Sequence, residues 1–137
     1  METFVLDASA LIAFLNDEEG ADIAEDVFQK AKMGNCVIYM NKLNILEIYY
    51  VVYRRAGKEI AEDVLVKILN LPLIVVDVLN DNLFKEAGRL KATYKISLAD
   101  SIALAEAKTR KAQILTADHH EFDLLDKEGE VVFYWIR

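Results

Sequence analysis

Five short runs in this chain are apolar or β-branched at nearly every position, and stretches with helical spacing separate them. The runs are Thr3-Phe4-Val5-Leu6, Cys36 to Met40, Leu73 to Val76, Gln113 to Thr116 and Val131 to Trp135. A strand that is apolar on both sides needs cover on both faces, and a parallel sheet clad in helices provides it. The helical stretches fall between the runs. Ser9 is placed to cap a helix through Leu11, Ile12, Phe14 and Leu15, and a second helix spans Ala21 to Met33 before Gly34. From Lys42 a third carries Leu43, Leu46, Tyr50 and Tyr53 at helical spacing until Gly57, and a fourth spans Lys58 to Leu69 ahead of Pro72. Asn80 to Tyr94 and Ser97 to Arg110 complete the set. The expected fold is α/β: one domain over residues 1–137, with a mainly parallel central sheet of about five strands and helices on both faces. The first strand should be central, with the fourth beside it.

The chain has 137 residues, 54% of them hydrophobic, so it can bury a core and is not disordered. Its longest nearly apolar stretch, Leu43 to Tyr53, is broken by Asn44 and Glu47 and is too short to cross a bilayer. No basic segment precedes an apolar one at Met1-Glu2-Thr3-Phe4, as a signal peptide requires. The single cysteine, Cys36, rules out an internal disulfide and, beside Val37 and Ile38, reads as a buried structural thiol. A cytoplasmic protein without membrane association is expected. The net charge of −7 argues against a protein that coats nucleic acid through a broad basic surface. It leaves room for an enzyme whose metal site is itself acidic.

Ligands of such sheets bind beyond the carboxyl ends of the strands, and acids collect there. Asp7 closes the first run and Asp118 follows the fourth, in Thr116-Ala117-Asp118. Asp100 stands in the first turn of the helix that Ser97 opens. Glu47 lies inside Leu43-Asn44-Ile45-Leu46-Glu47-Ile48-Tyr49-Tyr50, with no lysine or arginine between Leu43 and Tyr53. A carboxylate on an inward face needs a partner, and a shared cation would serve. Each acid also has an ordinary explanation. Ser97-Leu98-Ala99-Asp100 fits a capping box, Asp7 and Asp118 fit turn or cap positions, and Glu47 can reach solvent, Arg54 or a distant lysine. If the first and fourth strands are neighbours, Asp7, Asp100 and Asp118 converge on one edge, and the four acids together favour a metal site.

The motifs around these acids carry a family resemblance. Val5-Leu6-Asp7-Ala8-Ser9-Ala10-Leu11, Asn44-Ile45-Leu46-Glu47-Ile48-Tyr49, Ile96-Ser97-Leu98-Ala99-Asp100-Ser101-Ile102-Ala103 and Leu115-Thr116-Ala117-Asp118 resemble, in order, the acidic motifs of PIN domains. Size and wording look most like the VapC-type toxins of toxin–antitoxin pairs. The resemblance implies an endoribonuclease that uses Mg²⁺ or Mn²⁺, a bound antitoxin protein and a homodimer. Carried onto this sequence, Asp7, Glu47, Asp100 and Asp118 are the expected catalytic residues. Asp7, Asp100 and Asp118 are the expected metal ligands, Asp7 and Asp100 the most direct. Asp118 and Glu47 would hold a second ion or its waters and orient the attacking water. Hard carboxylate oxygens suit Mg²⁺. Ser9 and Thr116 are expected to orient carboxylates through their hydroxyls, alongside capping and strand-end roles.

Several features stay open at this level. Many relatives have a further acid after the fourth motif, and whether Glu121, Asp123 or neither takes that place stays open. His119 and His120 are adjacent, point apart and lack further histidine or cysteine partners, so they read as exposed loop residues rather than a zinc site. Basic residues at Arg54-Arg55-Lys58, Arg89-Lys91-Lys95 and Lys108-Arg110-Lys111 read as solvated helix faces, with phosphate positioning as the alternative. Tyr49, Tyr50 and Tyr53 read as core or subunit-interface residues, with base stacking as the alternative. The competing functions are a PIN nuclease of RNA processing or decay without an antitoxin, and a catalytically silent PIN-like binding module.

Overall fold

A computed structural model describes the chain from Met1 to Arg137. Its elements run β1 (Glu2–Leu6), α1 (Ala8–Leu15), α2 (Ala21–Lys32), β2 (Cys36–Asn41), α3 (Lys42–Ala56), α4 (Lys58–Leu69), β3 (Ile74–Val76), α5 (Asp81–Thr93), α6 (Leu98–Arg110), β4 (Gln113–Thr116), α7 (His119–Glu128) and β5 (Val132–Trp135). The five strands form one sheet in the order β3-β2-β1-β4-β5, with every pair parallel. β1 is central and β4 adjoins it, as the sequence predicts. The chain builds outward from β1 to β2 and β3, then returns to β4 on the other side. The order therefore reverses between β1 and β4, and a crevice opens at such a point beyond the strand ends.

Side chains alternate along β1, so its two faces feed two cores. Phe4 and Leu6 join Ile38, Met40 and Leu115 under α1 to α4, against Leu11, Phe28, Ile48 and Ile68. Val5 and Ile114 face the other way, onto Leu83, Leu90, Leu104, Phe122 and Leu125 of α5, α6 and α7. Each such Leu, Ile or Phe contributes roughly 1.5–3 kcal/mol on burial. Cys36 is buried and unpaired. No helix is long and apolar enough to cross a membrane.

Three local expectations need correction. Asp7, not Ser9, caps α1, because the chain leaves β1 extended and brings the Asp7 carboxylate onto the Ala10 N–H. On α3 the buried stripe is Asn44, Ile45 and Ile48, while Leu46, Tyr50 and Tyr53 are about half exposed. The apolar spacing was real, but it marks the outer face, and Tyr50 and Tyr53 do not enter the core. Finally, His119 and His120 are exposed but belong to a helix rather than a loop. α7 stands on its Asp118 cap, two buried anchors (Phe122 and Leu125), and Gly129, whose φ of 72° ends it in a left-handed turn.

Candidate functional site

The site grows from the junction of β1 and β4. Asp7 leaves β1 with its backbone N–H donating to the Leu115 carbonyl, so it is pinned over the next strand. Its side chain is 1% exposed. Oδ1 accepts from the Ala10 N–H at 2.9 Å, and Oδ2 lies 2.5 Å from Thr116 Oγ1. Ser9 Oγ reaches both carboxylate oxygens, at 2.9 and 3.0 Å. The two hydroxyls also accept from the backbone just beyond β4: Ala117 N–H donates to Ser9 Oγ and Asp118 N–H to Thr116 Oγ1, each at 3.1 Å. Ser9 and Thr116 thus tie the exit of β1 to the exit of β4, and both bear on the Asp7 carboxylate.

Asp118 caps α7, with Oδ1 accepting from the Glu121 N–H at 3.1 Å. Its other oxygen has no protein donor. Asp100 is half-buried in the first turn of α6, its N–H donating to Ser97 Oγ at 3.1 Å. The capping serine is as expected. The reciprocal half of a capping box, from the Ser97 N–H to the Asp100 carboxylate, is not made. Glu47 is half-buried on α3, one turn beyond Asn44. Asn44 is fully buried, and neither atom of its amide has a protein partner.

Burial pushes the Asp7 carboxyl up to about 6, with the Thr116, Ala10 and Ser9 hydrogen bonds opposing and the Asp118 charge adding. Asp100 is raised to about 7, first by burial and then by Asp7, with smaller contributions from Asp118 and Glu47 and opposition from Ser97. Glu47 is raised by burial and by Asp118. The four acids therefore share one electrostatic environment, although they come from four different helices or helix caps. No three of them already stand at ion-holding spacing. Neither Glu121 nor Asp123 is among the charges that shift these groups, and Asp123 instead meets His119 Nδ1 at 2.8 Å.

None of the four is in an ion pair. The pairs that form use Glu18, Glu86, Glu106, Asp123 and Glu130. Three of the four sit at the amino ends of α1, α6 and α7, where the helix dipole favours negative charge. That arrangement eases the crowding of anions without neutralising them.

Sequence reasoning overlooked a second buried acid. Glu106 is 2% exposed on α6, where it accepts from Asn41 Nδ2 at 3.0 Å and from Arg110 Nε at 2.8 Å. Asn41 in turn caps α3 through the Leu43 N–H, and Arg110 lies over the Tyr39 ring. The signal was available: Glu106 lies among apolar neighbours from Ile102 to Ala107, with Arg110 one turn on. Other basic residues pair on the surface, as Arg89 and Lys108 do with Glu86 and Glu130.

Comparison with solved structures finds the same architecture. VapBC from Salmonella typhimurium, solved bound to DNA, aligns over 100% of both chains at 16% identity and a TM-score of 0.76. VapBC2 from Rickettsia felis, bound to a DNA fragment from its promoter, aligns over 96% of this chain and 97% of that one, at 17% identity and a TM-score of 0.75. Mycobacterium tuberculosis VapC20, described as a Sarcin-Ricin loop cleaving toxin, covers 88% of this chain and 94% of its own, at 16% identity and a TM-score of 0.61. At such identities the likeness speaks for the fold. No curated protein is a significant sequence match. The family model of the PIN domain, however, matches residues 4–128, nearly the whole chain and every acid of the site. The chain belongs to the PIN-domain family.

Proposed function

We propose that this protein is a Mg²⁺-dependent endoribonuclease, the toxin of a type II toxin–antitoxin pair, acting in the cytoplasm. The observation that carries the reading is that burial, and then the nearby Asp118 charge, raises Asp7, Glu47 and Asp100, while none of the four acids has a cationic side chain as partner. A divalent ion fits this donor set. Its ligands are hard oxygens, Asp118 keeps one oxygen free, and the unpartnered Asn44 amide lies on the same helix as Glu47. Mn²⁺ meets the same requirements.

Asp7, Asp100 and Asp118 would hold the ion, with Ser9 and Thr116 fixing the orientation of Asp7. Glu47, partly buried and without a local cation, orients the attacking water and receives its proton. When bound, the ion polarises a phosphoryl oxygen, lowers the pKa of water and steadies the leaving oxygen. The chain's own contribution is to hold these groups on a rigid sheet edge, with the phosphodiester of RNA as substrate.

Two apolar surfaces support the partners. A groove of about 410 Å³ is lined by Ile12, Leu15, Ile48, Val51, Val52 and Val64, and suits an apolar helical segment of an antitoxin. The exposed Leu46, Tyr50 and Tyr53 stripe supports a homodimer through α3, within the Leu43–Leu69 region. Cleavage of defined RNAs in Mg²⁺, Mn²⁺ or EDTA, with mapping of the product ends, tests the activity. Absence of any metal-dependent cleavage would overturn it.

A further inference from the structure

Beyond the acids, the most organised surface on the same sheet edge is aromatic. Trp135 ends β5 and is the register partner of Thr116, so it sits one strand from the hydroxyl that holds Asp7. Phe133 stacks on it from within the strand, with centroids 5.2 Å apart and planes 10° from parallel. His119, the residue after Asp118, stacks on Trp135 at 3.8 Å and 11°.

Every polar ring atom of Trp135 and His119 is occupied. Trp135 Nε1–H donates to Asp126 at 3.2 Å. His119 Nδ1 meets Asp123 and its Nε2 meets the backbone oxygen of Arg137, both at 2.8 Å. One face of the imidazole is covered by indole and both nitrogens are engaged, yet its side chain is 48% exposed. The imidazole face turned away from the indole stacks on no other ring. A planar ring locked at two atoms and backed by a second ring is ordered before any ligand arrives. An incoming flat group therefore meets it with little further loss of freedom.

We propose that His119, backed by Trp135, is the stacking platform for an unpaired base next to the scissile phosphate, and so a residue that sets substrate preference. The inference rests on the ribonuclease reading and assigns the ligand class at its edge: single-stranded RNA, whose splayed bases stack on aromatic faces.

The test measures KM and kcat for Mg²⁺-dependent cleavage of one defined single-stranded RNA by wild type, His119→Phe, His119→Gln and His119→Ala. Trp135 is the only tryptophan, so its emission on rapid mixing with the same RNA reports the site directly. Phenylalanine keeps a ring face and loses the hydrogen bonds, whereas glutamine keeps hydrogen-bonding capacity and loses the face. His119→Phe should stay close to wild type. His119→Gln and His119→Ala should raise KM roughly five- to 150-fold, the range one base stack supplies, with kcat largely kept. The Trp135 emission should change as RNA binds. If glutamine preserves KM and phenylalanine does not, His119 is a tether for α7 and the platform is wrong. If wild type cleaves and all three variants match it, the platform falls and the ribonuclease reading stands. If wild type neither cleaves nor binds RNA, both fall.

Discussion

Thr116 Oγ1 lies 2.5 Å from Asp7 Oδ2, so one hydroxyl proton joins the carboxyl ends of two neighbouring parallel strands. The same oxygen accepts from the Asp118 N–H, which places a single side chain between two of the acids. Thr116→Val keeps the shape and removes the donor. Asp7 then rises further in pKa, and both acids lose their common anchor. Metal affinity or cleavage should fall roughly 10- to 100-fold, while Thr116→Ser retains most of it. Mg²⁺ titration of the cleavage rate measures the effect, and a valine variant with wild-type Mg²⁺ dependence would show that the hydroxyl is idle.

Stability of the metal-free protein should fall as pH rises from about 4 to about 7. Asp7 and Asp100 reach about 6 and about 7 in the folded chain against a reference of 3.8, so across that window the folded state binds more protons than the unfolded one. By linkage their contribution is fully present below the unfolded value and is lost as pH passes through the folded ones. For Asp7 alone the change is on the order of 3 kcal/mol. A divalent cation relieves this penalty where the acids are ionised. Mg²⁺ should therefore raise Tm more at pH 8 than at pH 5, read from paired thermal melts. An equal shift at both would mean that the ion does not bind these groups.

The parallel sheet was legible because Phe4-Val5-Leu6 and Ile114-Leu115 are apolar in both directions, a pattern that only two-sided cover explains. The adjacency of β1 and β4 was not fixed by the residues; it was only the natural topology that brings Asp7 and Asp118 to a common edge. α3 misled because an apolar stripe tells only that one face is apolar. Ile45 and Ile48 were buried instead of Leu46 and Tyr50, which leaves the outer stripe for something beyond the chain. α7 was missed since it buries little more than Phe122 and Leu125, too few apolar positions to mark a period. Asp7 was legible as an acid of the edge and not as a cap, because the sequence does not tell where β1 ends and α1 begins. A single side chain can do both jobs, so capping and a site role are not exclusive alternatives.

Arg110 and Glu106 form a buried brace between α6 and the start of α3, through Asn41. Arg110→Met leaves the Glu106 carboxylate with one amide donor in a nearly dry position. The loss should be about 3 kcal/mol, the lower end for breaking a buried pair, because Arg110 is itself partly exposed. Adding Glu106→Leu to that variant removes the stranded charge and should restore much of the stability. Urea denaturation of the two variants reads both effects. A double variant no more stable than Arg110→Met would show that the stranded charge is not the source of the loss.

Asp100→Asn should abolish Mg²⁺-dependent RNA cleavage while leaving the fold intact. The bond that caps α6 runs from the Asp100 backbone N–H to Ser97 Oγ, and asparagine keeps that backbone donor. The carboxylate makes no return bond to the Ser97 N–H, so little capping is lost, at most about 1 kcal/mol. The charge removed is a different matter. Burial first, and then Asp7, Asp118 and Glu47, raise the Asp100 pKa, so the wild-type carboxylate is destabilising when ionised without a cation. Asparagine relieves that repulsion, and the metal-free variant should melt higher than wild type at pH 8. It should also gain less from Mg²⁺. A purely capping Asp100 predicts the opposite: a slightly lower melting temperature, an unchanged response to Mg²⁺ and undiminished cleavage. Melts with and without Mg²⁺, run beside the cleavage assay, separate the two, and full Mg²⁺-dependent activity in the variant would remove Asp100 from the site.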